Sequence, residues 1–121
     1  MTRFSLSGRA RSFRYAFAGI LFMLKTQHNA WIHLAASVAV CAAGFAFGIS
    51  ISDWRWITMA IVLVWMAEAM NTAFEHLCDV VSPEFHASVQ RSKDIAAGAV
   101  LICALGSVAI GLSVFIPHLA R

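Results

Sequence analysis

The chain alternates long apolar runs with short charged clusters, and the runs are too long to be the faces of soluble amphipathic elements. Leu34 to Ser52 holds no acidic residue, lysine or arginine, and neither does Ile95 to Ala120. Each exceeds or approaches the roughly 20 residues a helical membrane span requires. Between them, Trp56 to Ala67 is also uncharged, and past Glu68 the pattern stays mostly apolar to Val81, which predicts a further helix with polar residues in one half. The expected spans cover about 30–51, 54–81 and 93–117. Upstream, Phe13, Phe17, Ile20, Leu21 and Leu24 recur at helical spacing in a segment that also carries Arg3, Arg9, Arg11, Arg14 and Lys25. That pattern predicts an amphipathic helix lying in the membrane interface over about 5–27. The fold class expected is an all-α membrane protein, one domain over 1–121 with three transmembrane helices and a surface helix.

Composition removes the alternatives. The 121 residues are 60% hydrophobic and 12% charged, with a mean hydropathy of +0.76, whereas soluble domains are about 45–50% apolar and about 25% charged. A disordered tail, a disulfide scaffold and a soluble domain of this size are excluded, because so few charges cannot cover so much apolar surface. The formal charge of +3 comes from scattered Lys and Arg, with no basic stripe interleaved with stacking aromatics, so no nucleic-acid partner is expected. Basic residues concentrate before the first span and in the link from Asp79 to Asp94, while Arg55 and Arg121 fall on the opposite side. The positive-inside rule then puts the N-terminus in the cytoplasm. No cleaved signal peptide is expected, since the first long apolar run begins late and no small-residue cleavage site follows a short hydrophobic core.

Smaller features fill in this outline. Ser50, Ser52 and Asp53 form a short polar link, and Trp54 and Trp56 beside it suit aromatic anchors at a bilayer surface. Cys41, Cys78 and Cys103 form no C-x-x-C pair and read as small apolar residues. Ala35, Ala39, Ala43 and Gly44 in the first span, and Gly98, Ser107 and Gly111 in the last, would let helices approach closely. Three short spans enclose little volume, so burying the polar groups within them favours an oligomer.

The chemistry gathers on the middle span. Glu68, Asn71, Glu75 and Asp79 are separated by three, four and four residues, steps that keep all four on one narrow helix face. A helix entering near Trp54 carries Glu68 about 20 Å deep and brings Asp79 close to the cytoplasmic surface. An acid at that depth costs about 2.5–3.5 kcal/mol on insertion scales, a cost that Asn or Ser would avoid if interhelical hydrogen bonding were the only purpose. Glu68 therefore reads as a buried general base or proton carrier. Glu75 and Asp79, nearer water, suit a hard cation such as Mg²⁺. Across the link, Arg91, Ser92, Lys93 and Asp94 open the last span with groups that could receive a phosphate. Phosphoryl transfer needs carboxylates for metal, a cation on the phosphates and a residue to deprotonate the hydroxyl, and this interface has each type. There is no P-loop, kinase catalytic loop, zinc signature or nucleophile elbow. His28, His33, His76 and His86 have no metal-cluster spacing and read singly as polar interface residues.

The segments E-A-M-N-T-A-F-E-H-L-C-D from Glu68 and S-K-D-I-A-A-G-A-V-L from Ser92 closely resemble the prokaryotic diacylglycerol kinase and undecaprenol kinase family. The resemblance extends through R-Y-A-F-A-G-I from Arg14, I-H-L-A from Ile32 and E-F-H from Glu84. It implies a homotrimeric membrane enzyme that transfers the γ-phosphoryl group of MgATP to a lipid hydroxyl. It further implies that Glu68 is the catalytic base with Asn71 beside it, that Glu75 is a metal ligand on the nucleotide, and that Asp79 is a supporting acid. Lys93 and Asp94 would contact ATP, Glu84 and His86 would help enclose it, and Tyr15 would lie near it. Where the family usually has a second metal-binding Glu, this chain has Gln27, whose oxygen can ligate Mg²⁺ without supplying a charge. The acceptor is left between diacylglycerol and undecaprenol. Two other readings of the stripe are a small oligomeric proton or cation carrier and a non-catalytic membrane subunit of the same fold.

Overall fold

The computed structural model describes residues 3–121, so the first two residues of the expected domain lie outside the described residues. Four helices follow one another in this part of the chain: α1 (Leu6–Thr26), α2 (His28–Phe47), α3 (Ile51–Val81) and α4 (Ala87–Leu119). Three of them, α2 to α4, are long and apolar enough to cross a membrane, and α1 is the helix expected at the surface.

Local chemistry sets the boundaries. Ser5 caps α1, its hydroxyl accepting from the Gly8 N–H at 3.0 Å. Ser50 caps α3 in the same way through the Asp53 N–H at 3.1 Å, with Asp53 itself in the first turn where an acid is favoured. α2 stops at Phe47, short of the expected residue 51, because Gly48 takes the left-handed conformation at φ 61° and ψ 48°. The Ile49 N–H then bonds back to the Gly44 carbonyl at 3.1 Å and the Gly48 N–H to Phe45 at 3.2 Å, a Schellman closure that only a residue without a Cβ adopts cheaply. α4 starts at Ala87, six residues before the expected 93, since its first turn is capped by His86 Nδ1 accepting from the Ser88 N–H at 3.2 Å. Helical hydrogen bonding continues past the hydrocarbon, whereas hydropathy reports only the hydrocarbon. At about 1.5 Å per residue, α3 and α4 are each well over 40 Å long against a hydrocarbon core of about 30 Å, so their ends project into water or headgroups.

α3 is the central element, packed most extensively along α4 and on another side against α2. Ile49, Ile57 and Val114 form the buried apolar cluster near the α2–α3 turn. Midway, the Ser107 hydroxyl on α4 donates to the Ala60 carbonyl on α3 at 3.1 Å. α1 joins the bundle near its C-terminal end, where Met23 is buried and the Phe22 ring lies 5.3 Å from the His76 ring of α3. Most of the rest of its apolar face, including Phe13 and Phe17, is exposed, as are Phe45, Ile102 and Ile116 on the spans. Such a surface is unfavourable in water and suited to lipid.

Two expectations change. Trp54 is not a free surface anchor: its ring packs over Gly44 and lies 4.9 Å from the Phe45 ring, while Trp56 is exposed. Gly98 and Gly111 are not points of close approach within the chain, because a Cβ at either would meet nothing within 4 Å, whereas Gly44 is one. Cys41, Cys78 and Cys103 are free thiols.

Candidate active site

The acidic stripe of α3 is graded in burial. Glu68 is 1% exposed and Asn71 7%. Glu75, a turn further on, is half-buried, and the Asp79 side chain is 66% exposed. The helix therefore carries carboxylates from the packed interior of the bundle out to its solvated end. Along the axis Glu75 lies about 10 Å and Asp79 about 16 Å from Glu68.

Burial of Glu68 is made tolerable by a partner from another helix. His33 of α2 places Nε2 3.2 Å from Glu68 Oε2. Around that contact, the Trp65 indole N–H donates to Ser37 Oγ at 3.0 Å, and the Ser37 hydroxyl donates to the His33 carbonyl at 2.7 Å. The Asn71 Oδ1 and Thr72 Oγ1 atoms, next along the helix, are buried with no hydrogen-bond partner in the single chain. Each such group costs about 1–3 kcal/mol if left unpaired.

At the outer end, Lys93 of α4 donates to Asp79 Oδ1 at 2.8 Å, and Glu75 also acts on it through charge. This pair ties the start of α4 to the end of α3 across the link. Asp94 turns the other way and accepts from Gln90 at 2.9 Å, so Lys93 pairs with Asp79 rather than with its neighbour. In the link, the Ser82 hydroxyl donates to the Glu84 carbonyl at 3.0 Å, leaving the Glu84 side chain exposed. His86 is exposed and spends Nδ1 on the α4 cap. Tyr15 is 65% exposed on α1, with the Arg14 guanidinium 5.8 Å from its ring centre.

Gln27 is the one non-helical residue between α1 and α2, held by its N–H to the Met23 carbonyl at 2.9 Å. Its side-chain amide N–H donates to Thr26 Oγ1 at 3.3 Å, which uses the donor end of the amide and not its oxygen. Among the described residues, no three His, Cys, Asp or Glu side chains gather as a metal site.

An apolar cavity of about 510 Å³ runs along α3 between α2 and α4. Val40, Ile57, Ala60, Val64 and Leu112 line it, with His33 and Ser37 at the end nearest Glu68. His33, Ser37 and Trp65 were not singled out by spacing, because their partners lie 28 to 35 residues away in the chain. The available signal was weaker: a titratable ring placed within an apolar run that forms a span.

A polytopic helical membrane protein with a buried carboxylate at mid-helix and an acid–lysine pair at the helix end is thus defined. The profile of the prokaryotic diacylglycerol kinase family matches residues 14–115. An undecaprenol kinase of Bacillus subtilis is 38% identical over 109 residues, covering 90% of this chain and 89% of that protein. A diacylglycerol kinase of a Synechocystis species is 36% identical over 109 residues, covering 89% of this chain and 62% of that protein. The chain belongs to the prokaryotic diacylglycerol kinase family, and so to the lipid kinases.

Proposed function

We propose that the protein transfers the γ-phosphoryl group of ATP to the hydroxyl of a membrane lipid alcohol, diacylglycerol or undecaprenol. The observation that carries this reading is Glu68, a carboxylate 1% exposed on a helix long and apolar enough to span a membrane. Such a group is costly at that depth, and general-base chemistry on a lipid-borne hydroxyl gives it a purpose.

In this mechanism the acceptor's hydroxyl comes to Glu68 from the bilayer while the nucleotide comes from water. The lipid's entry lies between the surface helix and the spans. The Glu68 carboxylate takes the proton as the hydroxyl oxygen bonds to the γ-phosphorus. The bond from that phosphorus to the bridging oxygen of ADP breaks, and ADP leaves with the electron pair. Asn71 orients groups beside the base. Lys93 exchanges its Asp79 partner for phosphate oxygens, Asp94 stands beside it, Glu84 and His86 enclose the nucleotide from the link, and Tyr15 flanks it from α1.

The donor set fits Mg²⁺. Glu75 supplies a half-buried carboxylate, Gln27 an amide oxygen, and the unpartnered Asn71 Oδ1 lies one turn from Glu75, all hard oxygen ligands of the kind Mg²⁺ takes. When bound, Mg²⁺ offsets the negative charge that phosphoryl transfer concentrates on the phosphates. A homotrimer, forming one membrane-embedded domain per chain with its N-terminus in the cytoplasm of a bacterial inner membrane, would bring further groups to the buried Asn71 and Thr72. The basic residues before α2, and Arg91 and Lys93 in the first two turns of α4, support that orientation.

The test is transfer of labelled γ-phosphate from MgATP to diacylglycerol and to undecaprenol, side by side in mixed micelles, with Glu68→Gln as control. Transfer to one lipid, reduced about 10²–10⁴-fold in the control with nucleotide binding retained, is expected for loss of a general base. No transfer to either lipid across a wide Mg²⁺ range would overturn the reading. Ion flux into liposomes without ATP would then favour a carrier.

A further inference from the structure

His33 has no part in the mechanism above, yet among the described residues it makes the one cross-helix hydrogen bond of the Glu68 side chain. Its side chain is 13% exposed and that of Glu68 1%, so both groups are withdrawn from water and each is the other's means of satisfaction. A carboxylate acting as a base can only accept, which puts the proton of this contact on the imidazole Nε2.

The ring itself is held. Trp65 presents to it nearly edge-on, with centroids 6.1 Å apart and planes at 68°. Trp65 cannot turn freely, because its indole N–H is fixed on Ser37 Oγ at 3.0 Å. Ser37 in turn is bonded to the His33 carbonyl at 2.7 Å. His33 and Ser37 are one turn apart on α2, and Trp65 and Glu68 lie within one turn on α3. One cross-helix hydrogen bond, from Trp65 to Ser37, therefore holds the indole edge against the imidazole.

We infer that His33 is a positioning residue for the phosphoryl transfer: by occupying Glu68 Oε2 it fixes the carboxylate plane and leaves Oε1 to receive the acceptor's proton. The inference rests on Glu68 as the base. A carboxylate at the end of two rotatable bonds would otherwise sample several orientations, and misplacement by about 1 Å can cost on the order of 10²-fold in rate. A helix-to-helix contact also sets the register between α2 and α3 at the depth where the acceptor must arrive. His33 lines the inner end of the apolar cavity, so the same residue marks where apolar lining gives way to the reacting group.

The experiment compares His33→Gln with His33→Asn in the intact protein. The Gln amide nitrogen lies as many bonds from Cα as imidazole Nε2, while the Asn nitrogen is one bond short; the two variants are otherwise alike in polarity. Steady-state kcat and KM for lipid and MgATP are measured with thermal midpoints in detergent. His33→Gln should keep kcat within a few-fold of the parent. His33→Asn should lose about 10–100-fold in kcat with KM for MgATP unchanged, and without a matching fall in thermal midpoint relative to His33→Gln. Equal activities of the two variants, a loss residing in KM for MgATP, or a loss that follows stability would overturn the inference. Glu68→Gln in the same assay separates the two levels: if it retains turnover, the base assignment fails. If it is inactive while His33→Asn keeps the parental kcat, only the positioning role fails.

Discussion

Gly44→Ala is the perturbation whose cost the geometry defines most sharply. A Cβ at this position would stand 2.7 Å from Trp54 Cη2, 2.8 Å from Cζ2 and 3.2 Å from Ile49 Cδ1. Carbon atoms in favourable contact are about 3.5–4.0 Å apart, so the methyl intrudes on the indole by about 0.7–1.3 Å. The indole is a rigid ring packed against Phe45, and Ile49 is buried, so neither neighbour yields without disturbing the α2–α3 turn. Overpacking of this size costs about 1–3 kcal/mol. The assay is reversible unfolding in detergent micelles, run on Gly44→Ala, Trp54→Leu and the double variant. Removing the indole should relieve the strain, so the double variant should be more stable than the sum of the single effects predicts. Gly44 lies about 16 Å along α2 from His33, so kcat per folded molecule should not change. A Gly44→Ala protein as stable as the parent, or strictly additive effects, would refute the reasoning.

Two further outcomes are expected at the water-facing end. Lys93→Met should raise KM for MgATP and lower kcat while leaving the thermal midpoint unchanged, because the Lys93–Asp79 pair is solvated and such pairs add little to stability; a collapse of stability would show the pair to be a structural clasp instead. Gln27→Glu restores a charge to an oxygen donor set, and should lower the Mg²⁺ concentration for half-maximal activity; an unchanged Mg²⁺ dependence in a lipid phosphorylation assay would remove residue 27 from the metal site.

The span count and the surface helix were legible because both rest on hydropathy and period, which are local properties. The helix limits were less so. The Gly48 turn ends α2 while the apolar run continues, and the His86 cap starts α4 before its apolar run begins. The spacing of Glu68, Asn71, Glu75 and Asp79 places them on one face, and the gradient from buried Glu68 to exposed Asp79 follows from how the helix emerges from the bundle. Contacts between helices could not be read in this way. Nothing in the period of α2 indicates that His33 meets Glu68, or that Lys93 chooses Asp79 over the adjacent Asp94, since both depend on how the helices rotate about their axes when they pack.

The junction at Gln27 has a mechanical consequence. A single extended residue joins α1 to α2, a short connection that couples the two helices, and His33 follows fewer than two turns later. Most of the apolar face of α1 is exposed, as suits a helix at the interface, while its C-terminal end is fastened to α3 through Phe22 and His76. The two helices thus act as a bent lever whose outer arm lies in the headgroups and whose inner arm carries the imidazole. Tilting of the outer arm as the leaflet thins would turn the inner arm with it. Turnover should therefore vary with acyl-chain length of the host bilayer even at a fixed concentration of acceptor, so that the thickness of the membrane itself becomes an input to the enzyme.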